Sequence, residues 1–355
     1  MSRKTKDPSQ LPPLSVVVIG LNVAEYLGSS LDAILNSTYP SSKMEIIYVD
    51  SGSTDCSLDI ARSFEQVNVI ELNTSNPSAA KGRNAGAAHA KYDLIQFVDA
   101  DSYLHPEWLK VAVSYLDTKN AAVAGRLSER YPEKNLFHRM AELEWNIWSS
   151  PDGSWTTAAL EAKTFGGNVM LHKSVFLGLN GFDENLKAGE DPDLSYRIRR
   201  EGYKILRLHQ DMASHDINLS SFSEYRRRTR RSGTAYANLA FRYWQESERF
   251  MLKPLIRIIA GVLTPATVLI FGVSAGLPVP GLILALLIMF RLVFQTGKFA
   301  RLFNITRLRA LEYSLYLALA IYPQFLGVVD VAKQKISNWI KKNRIDEPAV
   351  EAISL

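Results

Sequence analysis

Two carboxylates one residue apart follow a strongly apolar run in the first third of the chain. The run from Leu94 to Val98 is typical of a buried strand, and Asp99 and Asp101 come at its end. Because side chains two residues apart on a strand share a face, both carboxylates are expected to point at one cation. Mg²⁺ or Mn²⁺ is the counter-ion that such a pair prefers. The alternative is a polar turn after an edge strand.

A second acidic motif, from Asp50 to Asp55, follows a predicted strand at 45–49. Open α/β sheets bind ligands at the carboxyl ends of their strands, so Asp50 is a candidate for hydrogen bonds to a nucleobase or ribose. The structural alternative is helix capping, which we expect of Ser53 or Asp55. Asp50 comes too early in the motif to cap the helix.

Two further motifs open helices. Lys81 and Arg83 lie at a predicted helix N-terminus, which is an anion site suited to a diphosphate, although basic residues there are often only solvated. Asp191 precedes Pro192 and is expected to be the N-cap of a helix that runs to Gly202. A carboxylate held in that way is also suited to act as a general base.

Short β-branched runs alternate with amphipathic stretches, which predicts an α/β fold around a mostly parallel sheet. The expected strands are 15–19, 45–49, 67–71 and 94–98, and the expected helices are 24–36, 57–64, 81–90, 106–116 and 193–202. A Trp-rich segment offers Trp145, Trp148 and Trp155, which either stack on a ligand or fill a core.

Charge divides the chain near residue 220. Of its 355 residues, 47% are hydrophobic, so the chain must build a core. Residues 1–220 carry 22 Lys and Arg against 28 Asp and Glu, whereas residues 221–355 carry 19 against 8. Basic residues beside long apolar stretches favour an anionic membrane surface over nucleic acid. The single cysteine, Cys56, excludes a disulfide framework and indicates a reducing compartment.

The second part of the chain has the composition of a membrane region. Residues 255–277 contain one charge and are long enough to span a bilayer. Residues 278–294 are expected to return to the cytoplasm, because the turn before them is uncharged and the loop after them is basic. A third apolar stretch, 313–329, is broken by Pro323. It either spans the bilayer or is a re-entrant or interfacial segment.

The expected domains follow from these patterns. They are a polar N-terminal tail at 1–13, a catalytic-type domain at 14–220, a basic amphipathic interfacial helix region at 221–253, a membrane region at 254–332 and a basic tail at 333–355. The polar residues 1–13 do not resemble a signal peptide, so the domain after them is expected in the cytoplasm.

The ordered set of motifs resembles that of the family 2 glycosyltransferases, which have the GT-A fold. The set consists of Val-Val-Val-Ile-Gly-Leu-Asn22 with Glu25, Asp50-Ser-Gly-Ser-Thr-Asp55, Lys81-Gly-Arg-Asn84-Ala-Gly86, Asp99-Ala-Asp101, Gly166-Gly-Asn168, Gly181-Phe-Asp-Glu184 and Glu190-Asp191. The resemblance covers residues 14 to about 220 and says little about the membrane region.

The resemblance implies roles for individual residues. Asp191 would be the catalytic base, and Asp99 and Asp101 would form the metal and nucleotide motif. His215 stands where related enzymes supply another metal ligand, although it is equally typical of a surface histidine. Residues implied or expected to hold the nucleotide sugar are Asn22, Glu25, Asp50, Lys81, Arg83, Asp99 and Asp101. Candidates for binding the acceptor or its diphosphate are Glu190, Gly167, Asn168, Trp145, Arg227, Arg228, Arg230 and Arg231.

Two departures from the family pattern matter. Processive members carry a Gln-x-x-Arg-Trp motif, whereas residues 226–231 are Arg-Arg-Arg-Thr-Arg-Arg, so a polymerising synthase is not expected. Asp50-Ser51 replaces the common pair of acids, which leaves the nucleobase open.

The expected function is inverting, metal-dependent transfer of one sugar, of hexosyl type, from a nucleotide-diphosphate sugar. The expected acceptor is a polyprenyl-diphosphate-linked intermediate of a surface polysaccharide, at the cytoplasmic face of a bacterial-type inner membrane. One alternative acceptor is a bare polyprenyl phosphate, as in dolichyl-phosphate-mannose-type synthases. The other alternative is a non-catalytic membrane scaffold. The sequence leaves the donor sugar and the oligomeric state open.

Overall fold

The computed structural model describes residues 10–146, 159–274 and 279–345. Trp148 and Trp155 lie outside the described residues. Contacts divide the chain into two units, Met1–Ser220 with Phe299–Ile305, and Ser221–Lys298 with Thr306–Leu355. The main division falls where the charge of the chain changes sign.

The first unit is built on a nine-stranded sheet. Its first four strands are parallel, with β1 between β2 and β4 and with β3 outside β2. β8 is antiparallel to both β4 and β6, whereas β6 and β9 are parallel, so the complete sheet is mixed. The strand order is β3-β2-β1-β4-β8-β6-β9-β5, and β7 pairs with β9. The strands are β1 (Leu14–Gly20), β2 (Met44–Asp50), β3 (Val67–Glu71), β4 (Leu94–Asp99), β5 (Ser102–Leu104), β6 (Asn120–Glu129), β7 (Ala159–Glu161), β8 (Val169–His172) and β9 (Lys204–His215).

The run of β-branched residues in β1 is explained by burial on both faces of the sheet. Val16 and Val18 pack in one apolar cluster, and Val17 and Ile19 pack in another on the opposite face. Strands covered on both faces are expected to be continuously apolar, as this run is.

Seven helices accompany the described strands of the first unit. The helix predicted at 81–90 begins two residues earlier, because Ser78 Oγ accepts a hydrogen bond from the Lys81 amide and caps it. The helices are α1 (Ala24–Leu35), α2 (Ser57–Arg62), α3 (Ala79–His89), α4 (Trp108–Val113), α5 (Leu136–Asn146), α6 (Lys173–Gly178) and α7 (Glu190–Arg200).

The packed part of the first unit begins before residue 14. Leu11 is buried, and its carbonyl accepts a hydrogen bond of 2.6 Å from Lys43 Nζ. The Pro12 carbonyl accepts one from the Tyr39 hydroxyl. Leu11 and Pro12, at the end of the expected tail, therefore contact the first unit.

The second unit consists of helices in its described residues. A capping box of Ser221 and Glu224 starts α8 (Phe222–Arg242), which ends well before residue 253, the predicted limit of the interfacial region. The other helices are α9 (Leu252–Ser274), α10 (Val279–Leu302) and α11 (Arg307–Ile345). All three of these are long and apolar enough to cross a membrane.

Pro323 does not break the third apolar stretch, contrary to the sequence prediction. α11 continues through it for 39 residues. A proline inside a helix removes one backbone hydrogen bond, and packing of the helix on a neighbour can offset that loss.

Candidate active site

The carboxyl ends of the central strands bring the acidic motifs to one edge of the sheet. Gly20 of β1 is in register with Asp50 of β2, and Ile19 is in register with Asp99 of β4. Asp101 does not continue β4, because the chain turns after Asp99 and β5 starts at Ser102. The expectation that Asp99 and Asp101 share one face of a strand is therefore wrong, and a tight turn places them instead.

Asp50 is buried at the end of β2 and its carboxylate holds the following turn. One oxygen accepts hydrogen bonds from the amides of Gly52 and Ser53, at 2.9 and 2.7 Å. The other lies 3.1 Å from the Tyr48 hydroxyl, whose pKa is raised, chiefly by burial. These bonds give Asp50 a structural role, and its contact with a nucleotide stays a prediction.

Asn22 and the Asp50–Asp55 motif are tied together across the edge of the sheet. Asn22 has a left-handed backbone conformation, with φ 54°. Its side-chain oxygen accepts a hydrogen bond of 2.8 Å from the Thr54 backbone amide, and its backbone amide donates one to Ser53 Oγ. Glu25 lies exposed in the first turn of α1. The loop that would meet a nucleotide is thus braced by its own side chains.

Neither Ser53 nor Asp55 is the N-cap of α2, contrary to the sequence expectation. The N-cap is Cys56, whose side chain makes no capping bond. Asp55 accepts instead from the amide and hydroxyl of Ser57, and the hydroxyl bond lowers the pKa of Asp55. The carboxylate still stabilises the start of the helix, from one residue further out.

Arg83 is the hub of the site. It is 3% exposed, and its guanidinium lies 2.7 Å from Asp99, 3.4 Å from Asp191 and 3.6 Å from Glu190. Burial alone lowers the pKa of Arg83, but attraction from Asp99, then Asp191 and Glu190, raises it above the ordinary value. A permanently charged arginine therefore joins the end of β4 to the start of α7.

The segment Gly166-Gly167-Asn168 covers this ion pair. A methyl group at Gly167 would lie 2.2 Å from Arg83 Nη2 and 2.5 Å from Asp99 Oδ2. Asn168 is buried, accepts from the Asp99 amide at 3.1 Å and donates to Ser102 Oγ at 3.1 Å. Asn168 thus positions the turn that carries Asp101, and its contact with an acceptor stays a prediction.

Asp191 lies inside the first turn of α7 and is not its N-cap. The helix starts at Glu190, and Gly189 takes the N-cap position at φ 92°, a conformation that favours glycine. The Asp191 side chain is 20% exposed, so it faces solvent as well as Arg83. A negative charge in the first turn of a helix interacts favourably with the helix dipole, so both α7 and Arg83 suit an aspartate at this position.

Asp101 and His215 form the other side of the site. The His215 Nε2 atom lies 3.2 Å from Asp101 Oδ1, and that buried oxygen makes no hydrogen bond within the described part of the chain. Two ligands on one Mg²⁺ or Mn²⁺ with bonds near 2.1 Å are about 3 Å apart, so this pair has the donor types and spacing for a divalent cation. Trp145 packs edge-on against His215, with ring centroids 4.9 Å apart.

A buried cluster that the sequence analysis missed lies next to His215. His138 Nδ1 is 2.7 Å from Glu129 and 3.7 Å from Asp216. Their ligand atoms lie within 4.8 Å of one another, so the cluster has the composition of a three-ligand metal site. Glu129 also accepts from the Ile217 amide at 3.2 Å, which fixes the chain just after β9. The adjacent acid in the pair His215-Asp216 was the only signal in the sequence.

The remaining basic candidates have partners of different kinds. Lys81 Nζ donates to Thr74 Oγ1 and the Asn76 carbonyl, at 3.3 and 2.9 Å. Arg230, on α8 in the second unit, donates two hydrogen bonds of 2.7 Å to Asp330. Two of its N–H groups are thus held by a carboxylate, and its contact with a diphosphate stays a prediction. Arg227, Arg228 and Arg231 are exposed on the same helix.

The chain matches known glycosyltransferases in sequence. Residues 15–177 match the model described as Glycosyl transferase family 2, and residues 155–218 match the one described as N-terminal domain of galactosyltransferase. The chain is 32% identical over 210 residues to Probable glycosyltransferase YdaM of Bacillus subtilis (strain 168), covering 55% of this chain and 49% of that one. It is 28% identical over 211 residues to Glycosyltransferase AglE of Haloferax volcanii, covering 58% and 68%. The chain thus spans about half the length of the Bacillus relative.

A solved structure shares the fold over nearly the whole chain. Mannosyltransferase PcManGT from Pyrobaculum calidifontis, in complex with GDP-Man and Mn²⁺, matches with a TM-score of 0.64 at 20% identity, covering 91% of this chain and 88% of that one. That likeness shows the fold, and the sequence matches relate residues 15–177 to the family 2 glycosyltransferases. The first unit has a GT-A-type fold and matches the family 2 glycosyltransferases over residues 15–177, and long apolar helices follow it.

Proposed function

We propose that this glycosyltransferase moves one sugar, with inversion, from a nucleotide-diphosphate sugar to a hydroxyl group of a polyprenyl-diphosphate-linked acceptor. The observation that carries the proposal is the buried Arg83, which links Asp99 at the sheet edge to Asp191 on α7. A donor-binding edge and a candidate base are thereby fixed relative to each other, as a single displacement requires.

Asp191 is the proposed base. As the acceptor oxygen forms its bond to the anomeric carbon, the bond from that carbon to the diphosphate breaks and the hydroxyl proton passes to Asp191. The side chain is partly exposed and lies 3.4 Å from the Arg83 guanidinium, which holds it in place while leaving it within reach of an acceptor hydroxyl. An ordinary aspartate is a weak base, so positioning must supply much of the rate enhancement.

The leaving diphosphate needs compensation for its charge. Asp101 and His215, with Asp99 at the start of the same turn, would hold Mg²⁺ or Mn²⁺, which offsets the charge of the diphosphate when bound. The solved neighbour of the same fold is named with GDP-Man and Mn²⁺, which agrees with this class of donor and cation. Lys81 stays a candidate for the same anion.

The proposed acceptor is a lipid because the chain continues into long apolar helices. α9 and α10 contain apolar spans of 20 and 22 residues, which are long enough to cross a bilayer. An enzyme with a soluble acceptor has no need of such helices. We therefore place the reaction at the cytoplasmic face of a membrane, in the synthesis of a surface polysaccharide.

The test is release of nucleoside diphosphate by the purified protein in detergent. A panel of nucleotide sugars is incubated with Mg²⁺ or Mn²⁺ and with a short polyprenyl-diphosphate-sugar, a bare polyprenyl phosphate or no lipid. Metal-dependent release that requires the diphosphate-linked sugar supports the proposal and identifies the donor. If release occurs only with bare polyprenyl phosphate, that lipid is the acceptor instead of the diphosphate-linked sugar. If no nucleotide sugar is bound or cleaved, the protein is better explained as a non-catalytic scaffold.

A further inference from the structure

We propose that α11 does not cross the membrane but lies along its surface beside α8, with one apolar stripe in contact with lipid. Length and composition alone allow α11 to span. The contacts within the second unit favour the surface position. The inference concerns that unit and does not depend on the reaction.

α8 and α11 run side by side in the same direction. The Tyr225 hydroxyl donates a hydrogen bond of 2.9 Å to the Tyr316 carbonyl near the start of the contact. Lys335 Nζ lies 5.1 Å from the centre of the Phe241 ring near its end. The contact therefore extends from residue 225 to residue 241 of α8, which is about 24 Å of helix.

Close backbone approach holds the two helices together. A methyl group at Gly233 would lie 2.0 Å from the Gln324 carbonyl oxygen, and one at Gly327 would lie 2.1 Å from the Arg230 carbonyl oxygen. Only glycine allows this spacing. The bidentate pair of Arg230 and Asp330 closes the same contact. α8 and α11 therefore take the same position relative to the bilayer.

Because α8 carries exposed arginines, α8 and α11 are not expected to lie in the hydrocarbon core of the bilayer. Five of these arginines lie between Tyr225 and Gly233, beside the apolar part of α11, and all five are exposed. If residues 313–329 spanned the bilayer, these guanidinium groups would lie near its centre, where charged side chains are strongly unfavourable. The five residues are Arg226, Arg227, Arg228, Arg230 and Arg231.

The first half of α11 carries its large exposed apolar residues on one side. Between residues 308 and 326 its large exposed apolar residues recur every three or four positions, which places them in one stripe. Tyr313, Ala320 and Val328 are buried on the side that packs within the unit. A one-sided stripe is typical of a helix in the membrane surface. The stripe consists of Leu308, Leu311, Leu315, Leu319, Tyr322 and Leu326.

Contacts with α9 and α10 agree with a surface position. Ser314, near the start of α11, lies 3.4 Å from Thr296 in the last part of α10. Val328 and Val331 pack with Leu255 and Ile258 in the first turns of α9. α11 therefore runs from the end of one proposed span to the start of the other, which are on the same side of the membrane in a hairpin.

The apolar stripe contacts a lipid surface that is rich in anionic headgroups. The exposed arginines of α8 supply the complementary charge next to the apolar stripe. A protein partner is less well matched, since α9 and α10 already expose apolar side chains that require lipid.

The first experiment locates the C-terminus. Two variants are made in a Cys56→Ser background, one with a single cysteine at Ala275, between α9 and α10, and one with a single cysteine at Ala352. Bacterial spheroplasts that contain each variant are treated with a membrane-impermeant maleimide. The native protein, with its exposed Cys56, reports the side of the first unit. We expect Ala275→Cys to react in intact spheroplasts, and Ala352→Cys and Cys56 to react only after lysis. Reaction of Ala352→Cys in intact spheroplasts would overturn the proposal.

The second experiment separates a surface helix from a re-entrant one. Single cysteines at Leu311, Leu319 and Leu326 carry a fluorophore in liposomes whose lipids bear a quencher either at the headgroup or deep in the chain. Because all three positions lie in the exposed stripe, labelling leaves the packed side intact. Equal quenching at the three sites, strongest with the headgroup quencher, is expected. A maximum of deep quenching at Leu319 would contradict the surface position.

Discussion

Adding one methyl group at Gly167 tests whether Arg83 is the hub of the site. Gly167→Ala places a carbon atom 2.2 Å from Arg83 Nη2 and 2.5 Å from Asp99 Oδ2, far inside van der Waals contact. Arg83 is 3% exposed and cannot swing into solvent to relieve the clash. The methyl group must therefore separate Arg83 from Asp99 or push residues 166–168 outward.

The size of the effect follows from the displacement. Restoring normal contact requires a shift of roughly 1 Å, and misplacement of that size in an active site costs about 10²-fold in rate. Overpacking of this kind destabilises a protein by about 1–3 kcal/mol, so the variant is expected to fold. Turnover should fall much more than stability.

The assay is nucleoside diphosphate release together with thermal unfolding. Gly166→Ala is the matched control, because a methyl group there meets no atom within 4 Å. We expect Gly166→Ala to retain the wild-type rate and melting temperature. Wild-type turnover in Gly167→Ala, or equal loss in both variants, would refute the role assigned to Arg83 and Asp99.

Two other predictions concern the cation and acid stability. Trp145→Leu removes the ring that packs on His215, so the metal concentration for half-maximal activity should rise about tenfold, whereas the exposed Trp244→Leu should leave it unchanged. Equal metal dependence in both variants would exclude a positioning role for Trp145. Burial raises the pKa of Asp93, but hydrogen bonds from His172 and Ser174 outweigh it and lower that pKa. The ionised carboxylate therefore stabilises the fold at pH values above its pKa in the unfolded chain, about 3.9. This stabilisation is lost as the pH falls through the lowered pKa of the folded state. Asp93→Asn should show a smaller loss of melting temperature on acidification than wild type, and an unchanged pH profile would contradict this.

The central strands could be predicted from sequence because burial on both faces leaves a continuous apolar run. The runs ending at Gly20, Asp50 and Asp99 are of this kind, and the residues after them carry the site. The helix ends were harder to predict from the local sequence than the strands. Asp191 was a reasonable N-cap by residue type, but Gly189 at φ 92° takes the position because the chain needs a left-handed residue there.

Contacts between residues far apart in the sequence could not be predicted. Glu129, His138 and Asp216 come from a strand end, a helix and a loop, and no spacing rule relates them. The pairing of Arg230 with Asp330 joins residues 100 positions apart. The motif resemblance placed Arg83 near the donor but did not show that it contacts Asp191.

The most direct test of the proposed reaction is Asp191→Asn, measured for both turnover and donor binding. Asp211→Asn, which changes an exposed carboxylate 3.8 Å from Arg126, is the matched control. If Asp191 is the base, its amide variant should lose turnover by about 10²- to 10⁴-fold. It should still bind the donor, and the control should retain both properties. Turnover within a few-fold of wild type in Asp191→Asn would contradict the account.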